Sequence, residues 1–109
     1  MSIMVSREQT TEKSVGLSAG LLAQIVDVIV RHSNPKKIII YGSRARGDYK
    51  PTSDIDIAVE CDDGKDLIRN VIDDEIRTLL KLDIVDMGWV NEKLRREIEE
   101  EGMVIYEKA

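Results

Sequence analysis

Two aspartates, Asp54 and Asp56, stand at the start of the segment DIDIAVE, whose apolar residues alternate as they do in a β-strand. Acidic residues are depleted in strands, so this pair calls for a functional reason. Strand geometry places the two side chains on one face, roughly 7 Å apart along the strand. Carboxylates this close repel each other unless a cation lies between them, and oxygen-only ligands favour Mg²⁺ or Mn²⁺ over zinc. The pair therefore predicts a site for two divalent ions of the kind that serves phosphoryl transfer.

A third carboxylate on a neighbouring strand would complete this metal site. The segment KLDIVDM is also predicted to be a strand, and Asp83 is the leading candidate for the third ligand. Asp86 has the opposite strand parity and is the second candidate. The side chains expected to point away from Asp83 and Val85 are Leu82, Ile84 and Met87.

A Gly-Ser pair, Gly42-Ser43, precedes the aspartates and suits a polyphosphate. Gly42 lets backbone amides approach phosphate oxygens, while Ser43 offers a hydroxyl at the start of a short helical turn. Further contacts to phosphate are expected from the residues that follow: Arg44, Arg46, Lys50 and Ser53. A surface role is the alternative for both arginines, and for Ser53 the alternative is capping the loop before the strand. The segment thus predicts a nucleotide–metal site built on a strand, a turn and a strand.

This arrangement resembles the signature of the nucleotidyltransferase superfamily, Gly-Ser, a spacer and then Asp-x-Asp. Over about residues 21–106 the chain resembles the minimal nucleotidyltransferases (the MNT family), which have the DNA polymerase beta-like fold. The resemblance implies that Asp54 and Asp56 bind two Mg²⁺ ions, and that Asp83 binds the catalytic ion and helps to deprotonate an acceptor hydroxyl. Gly42 and Ser43 would hold the β- and γ-phosphates of ATP, whose AMP is transferred with release of pyrophosphate.

The resemblance also implies a partner. Members of this family commonly work beside a separate, all-helical HEPN or substrate-binding protein. In toxin–antitoxin pairs the MNT member is the antitoxin, which AMPylates a tyrosine of the HEPN toxin, and we expect this activity here. Two alternatives remain open: transfer of a nucleotide to a small molecule such as an aminoglycoside, and a non-enzymatic module that senses nucleotides and binds a partner.

The elements that must position these residues follow from the periodicity of the sequence. Ser18 is predicted to cap a helix that ends before Pro35, and Asn91 a last helix that ends before Gly102. The other predicted elements are a strand over 37–41, a helical turn over 43–47, a strand over 54–60, an amphipathic helix over 66–80 with Leu79 on its apolar side, the KLDIVDM strand and a closing strand, MVIYE. Their order predicts an α/β (α+β) fold with a small mixed β-sheet flanked by helices. Residues 1–17 are expected to form a flexible arm, and residues 18–109 the nucleotidyltransferase domain.

Composition narrows the class of protein. The 109 residues carry 16 basic and 21 acidic side chains, a net charge of −5, which disfavours nucleic acid as a partner. No run of about 18 apolar residues is present, and the N-terminal segment lacks the apolar core of a signal peptide, so a cytoplasmic location is expected. Cys61 and His32 each stand alone, which argues against a disulfide framework and a histidine-based site.

Overall fold

The structure, a computed structural model, describes residues 15–61, 76 and 78–108 of the chain. Within these ranges the elements are α1 (Ala19–Ser33), β1 (Lys37–Tyr41), α2 (Ser43–Arg46), β2 (Ile55–Glu60), β3 (Leu82–Asp86), α3 (Glu92–Glu101) and β4 (Met103–Glu107). The predicted first and last helices, the short helical turn and all four strands are confirmed.

The sheet explains how distant parts of the sequence meet. Its strand order is β3-β2-β1-β4, with β1 antiparallel to both β2 and β4 and with β2 parallel to β3. The mixed sheet flanked by helices is the predicted fold class. Because β2 lies between β1 and β3, the strand that begins after Asp54 is central, and its first residues face partners on both sides.

Local capping defines the helices on either side of the sheet. The hydroxyl of Ser18 accepts a hydrogen bond from the backbone N–H of Leu21 at 3.1 Å, as predicted for the start of α1. Asn34 ends this helix in a left-handed conformation (φ 50°), directly before Pro35. At the start of α3, the side chain of Asn91 accepts from the N–H of Leu94 at 2.8 Å.

Each face of the sheet has its own hydrophobic core. On one face, α1 covers β1 and β2 through residues that include Leu22, Ile25, Ile29, Ile38, Ile40, Ile55, Ile57 and Val59. On the other face, α3 packs through Ile98 against Ile39, Tyr41, Ala58 and Met87. The alternation predicted for β2 is therefore confirmed, and Asp56 shares the second face, called here the α3 face, with Ala58.

Three expectations need correction or lie outside the described residues. Met87 packs on the α3 face together with Val85, not opposite to it, because residues 83, 85 and 87 share one strand parity. Most of the predicted helix over 66–80 lies outside the described residues, whereas residues 78–80 are described and are not helical. Leu79, predicted on its apolar side, is fully exposed.

The N-terminal boundary also shifts. Val15 and Leu17 are buried in the core on the α1 side, with exposed fractions of 0% and 4%. The packed domain therefore begins no later than residue 15, and the predicted arm over 1–17 was too long; residues 1–14 lie outside the described ranges. Among the described residues, no helix combines the length and the apolar character needed to cross a membrane.

Candidate functional site

Three carboxylates are brought together by the sheet register. Asp56 on β2 pairs directly with Asp83 on β3, and Asp54 lies two residues before Asp56. Parity places Asp56 and Asp83 on the α3 face of the sheet at the end where β2 and β3 begin, and Asp54, just before β2, is close enough to add to the negative charge around Asp56. The site therefore combines two carboxylates that are close in sequence with one that is 27 residues beyond Asp56 (83 minus 56).

Asp86, the alternative third carboxylate, occupies a different position. It pairs with Val59, whose side chain lies in the core on the α1 side of the sheet. Its carboxylate accepts a hydrogen bond from the N–H of Gly88 at 2.8 Å and so stabilises the turn after β3. Of the two candidates, Asp83 is the one that the register places beside Asp56.

Burial and neighbouring negative charges both act on the carboxylate of Asp56. Its pKa is raised above the model-peptide value of 3.8, first by burial and then by the negative charges of Asp83 and Asp54, while Arg46 opposes the shift. Among the described residues, no three acidic, histidine or cysteine side chains converge closely enough to hold an ion as they stand. The donor set nevertheless fits a hard divalent cation, since it is all oxygen and its negative charges repel one another.

Two residues join this cluster that the sequence did not single out. Tyr41 ends β1, pairs with Asp56 across the antiparallel ladder and is 7% exposed. Burial raises the pKa of its hydroxyl to about 12, with further contributions from Asp56, Asp83 and Glu97. Glu97 of α3 also raises the pKa of Asp56 and so adds a fourth negative charge near the site. The Tyr41 hydroxyl thus stays protonated and remains a hydrogen-bond donor beside the carboxylates.

Gly42 is required by the close approach of Asp56. Its backbone has φ 77° and ψ −152°, in the region that favours glycine, and a Cβ atom at this position would collide with the Oδ2 atom of Asp56. Ser43 follows as the first residue of α2, and its carbonyl accepts the N–H of Gly47 at 2.9 Å. The predicted Gly-Ser corner therefore lies directly against the predicted metal-binding carboxylate.

Arg46 is the arginine of this segment that faces the carboxylates. Its guanidinium donates to Asp48 at 3.3 Å and to Glu101, the last residue of α3, at 3.4 Å. The side chain is 41% exposed, and its charge lowers the pKa of Asp56. Hydrogen bonding to Asp48 in turn raises the pKa of Arg46. Arg46 is thus an accessible cation at the edge of the site, held by two carboxylates that a polyphosphate could replace.

Arg44 and Ser53 lie differently from the phosphate ligands that we expected. Arg44 is only 1% exposed, and its guanidinium donates to backbone carbonyls, including that of Ser53. The hydroxyl of Ser53 accepts from the N–H of Lys50 at 2.8 Å, which is the loop-capping alternative. Arg44 is therefore neither a phosphate ligand nor a surface residue, because its N–H donors are satisfied by carbonyls inside the protein.

Comparison with known proteins identifies relatives of this fold and sequence. The family model described as Polymerase beta, Nucleotidyltransferase matches residues 23–109. Two proteins of Methanocaldococcus jannaschii named "Putative protein adenylyltransferase" are similar in sequence. MJ0604 is 42% identical over 81 residues, which are 65% of this chain and 78% of that protein, and MJ0435 is 44% identical over 45 residues, 41% and 47% of the two chains.

Solved structures share the fold at lower identity. A toxin–antitoxin with AMP-PNP superposes with a TM-score of 0.61 and 21% identity, covering 80% of this chain and 73% of the other. A mutant of the toxin–antitoxin MntA-HpeT superposes with the same score and coverage at 19% identity. At these identities the structural similarity establishes the fold.

Proposed function

This chain belongs to the polymerase beta-type nucleotidyltransferase family, and from that premise we propose that it transfers AMP from ATP to a tyrosine hydroxyl of a separate, helical HEPN-type protein. The observation that carries the proposal is the pairing of Asp56 with Asp83 on one face of the sheet, with Asp54 beside them and with Asp56 directly against Gly42. A protein acceptor is supported by the relatives that carry the name protein adenylyltransferase. The toxin–antitoxins that share the fold support an antitoxin role and a partner.

The proposed reaction is a displacement at the α-phosphorus of ATP. The acceptor oxygen forms a bond to that phosphorus, the bond to the bridging oxygen breaks, and pyrophosphate leaves with the electron pair. Asp83 takes up the proton of the acceptor hydroxyl as the general base. Mg²⁺ bound by Asp54, Asp56 and Asp83 would supply positive charge to the attacking and leaving oxygens.

The remaining residues bind and orient the triphosphate. Gly42 leaves the backbone of the corner open to phosphate oxygens, because it has no side chain, and Ser43 presents a hydroxyl next to it. Arg46 supplies countercharge when it exchanges Asp48 and Glu101 for phosphate, which likewise accepts charge-assisted hydrogen bonds from a guanidinium. The hydroxyl of Tyr41 stays protonated and can donate a hydrogen bond to an oxygen of the triphosphate.

The deciding experiment incubates the purified protein with Mg²⁺, isotopically labelled ATP and the helical protein encoded beside it. We expect the mass of that partner to increase by one AMP on a tyrosine, and pyrophosphate to be released in equal amount. Asp56→Asn should abolish both, while the variant keeps its fold as judged by circular dichroism.

The other outcomes separate the alternatives. Rapid labelling of an aminoglycoside or another small alcohol, with no label on the partner, would show that the acceptor is a small molecule and not a protein. Stable binding of the partner without metal-dependent release of pyrophosphate would instead indicate a non-enzymatic module.

A further inference from the structure

Arg44 is the buried charged side chain of the described part of the chain, with an exposed fraction of 1%. Burying a guanidinium costs free energy unless its donors are satisfied, and its five N–H groups form a rigid planar fork. A buried guanidinium is tolerated when its donors bind acceptors in several segments of the chain at once. What Arg44 connects therefore indicates what it does.

The acceptors of Arg44 come from two segments that are far apart in sequence. Its Nη1 atom donates to the carbonyls of Val15 at 2.8 Å and Gly16 at 3.3 Å, just before α1. Its Nη2 atom donates to the carbonyls of Pro51 at 3.2 Å and Ser53 at 3.1 Å, and Nε donates to Ser53 again at 3.3 Å. The guanidinium thus ties the segment before α1 to the loop that precedes Asp54.

The ring of Tyr49 closes this arrangement. The guanidinium carbon of Arg44 lies 4.9 Å from the centre of the ring, a distance at which cation–π attraction operates. The same ring lies against Gly16 (φ 71°), where a Cβ atom would come within 2.6 Å of it. Arg44, Tyr49 and the Gly16 backbone therefore form one packed unit, which we call the arginine clamp.

The clamp acts on the peptide group that leads into the metal site. The carbonyl of Ser53 belongs to the peptide bond between Ser53 and Asp54, and it accepts two of the hydrogen bonds from Arg44. We infer that Arg44 is a positioning residue for the nucleotidyltransferase reaction, which holds this peptide so that the carboxylate of Asp54 is presented to the metal beside Asp56. The inference rests on the proposed function, and it assigns Arg44 a role distinct from phosphate binding.

The test compares Arg44→Lys and Arg44→Ala with the wild-type protein and with Ile29→Ala. Ile29 lies on the buried side of α1, on the opposite face of the sheet from the carboxylates, and it is not one of the residues of the clamp, so its truncation serves as a control for lowered stability. The measurements are the melting temperature, the Kd for Mn²⁺ from electron paramagnetic resonance, amide hydrogen exchange over residues 48–54 in the metal-free protein, and kcat and KM for ATP.

We expect the Arg44→Lys variant to stay folded at the assay temperature, because lysine retains the charge and the apolar stem while losing the fork. Exchange over residues 48–54 should rise, and affinity for Mn²⁺ should fall roughly 10- to 100-fold, as for other residues that orient metal ligands. The kcat should fall by about 100-fold, the effect of a small misplacement, with KM for ATP little changed. Methylguanidinium should restore part of the Mn²⁺ affinity to the Arg44→Ala variant, whereas the Ile29→Ala variant should keep wild-type affinity.

Two results would overturn the inference. Unchanged Mn²⁺ affinity and unchanged exchange in Arg44→Lys would show that the clamp does not position Asp54. A raised KM for ATP with unchanged Mn²⁺ affinity would make Arg44 a phosphate ligand. Should both Arg44 variants fail to fold, Tyr49→Leu removes the stacked ring and must lower Mn²⁺ affinity for the inference to stand.

The same data separate this inference from the proposed function. If the wild-type protein binds neither Mn²⁺ nor ATP, the proposed function fails. The exchange over residues 48–54 in the metal-free protein then still shows whether Arg44 orders the loop.

Discussion

Asp56 and Asp83 are direct neighbours in the parallel pairing of β2 with β3, and each adds negative charge to the surroundings of the other. Burial raises the pKa of Asp56, and the charge of Asp83 is the next largest contribution to the increase. A raised carboxyl pKa means that the folded protein binds this proton more readily than the unfolded chain does. The contribution of Asp56 to stability is therefore complete below its ordinary pKa of 3.8 and is lost as the pH rises through the folded value.

The first prediction concerns stability without metal. In the presence of a chelator, we expect Asp56→Asn to raise the free energy of unfolding at neutral pH, because asparagine removes both the cost of burying a charge and the repulsion by Asp83. The difference between variant and wild type should shrink as the pH falls through the raised pKa of Asp56 in the folded protein, and it should be smallest below the ordinary value of 3.8. Urea denaturation over this pH range measures the difference. A variant that is less stable than wild type at neutral pH would contradict this prediction.

The second prediction concerns ligand binding at the same residues. Mg²⁺ with ATP should raise the melting temperature of the wild type, since a ligand present at 100 times its Kd stabilises the folded state by about 2.7 kcal/mol. The double variant Asp54→Asn/Asp56→Asn should lose this increase while keeping its fold. Differential scanning fluorimetry, with Mg²⁺ alone and ATP alone as controls, checks the result. An unchanged increase in the double variant would place the metal elsewhere.

The third prediction uses two glycines with positive φ as a matched pair. Gly42→Ala and Gly47→Ala should both be destabilising from backbone strain, by about 1–3 kcal/mol at Gly42, whose backbone lies in a region open almost only to glycine, and by about 1–2 kcal/mol at the left-handed Gly47. Only Gly42→Ala also displaces the carboxylate of Asp56, because a Cβ at Gly47 has no atom within 4 Å. Mn²⁺ affinity should therefore be lost in Gly42→Ala and retained in Gly47→Ala. Equal affinities would mean that Asp56 can move aside without consequence for the site.

The fourth prediction concerns the ion pair between Arg46 and Glu101. If Arg46 must leave Glu101 to bind phosphate, Glu101→Gln should tighten ATP binding, by about twofold because exposed ion pairs are weak. Arg46→Gln should weaken ATP binding. Glu99→Gln makes the same change of charge two residues earlier on α3 and serves as the control, since the ion pairs of Arg46 are with Asp48 and Glu101. Isothermal titration calorimetry measures these affinities. If Glu99→Gln tightens ATP binding as much as Glu101→Gln does, the effect comes from the change in net charge and not from release of Arg46.

The fifth prediction tests the role of Ser43. Its hydroxyl is proposed to contact the β- and γ-phosphates, which AMP lacks. Ser43→Ala should therefore weaken ATP binding by about 1 kcal/mol, the net contribution of a typical hydrogen bond, and leave AMP binding nearly unchanged. Competition with a fluorescent ATP analogue gives both affinities. Equal losses for ATP and AMP would move Ser43 away from the outer phosphates.

The parts of the fold that depend on local interactions could be predicted from the sequence. The helix start at Ser18 depends on a hydrogen bond that spans three residues, and the two faces of β2 follow from the period of the strand. The Gly-Ser corner and the two aspartates could be recognised for the same reason, since fifteen residues (42 to 56) contain most of the site.

The sequence did not determine what depends on packing between distant segments. The pairing of Asp83 rather than Asp86 beside Asp56 is a matter of register between two strands, and Tyr41 and Glu97 join the cluster only because β1 and α3 pack there. Arg44 and Arg46 are separated by a single residue and have the same chemistry. Arg44 is nevertheless buried against backbone carbonyls, whereas Arg46 lies exposed at the edge of the site. Local sequence specifies which groups are available, whereas the tertiary structure decides which of them are satisfied inside the protein and which remain accessible to a ligand, because that depends on the segments folded against each one.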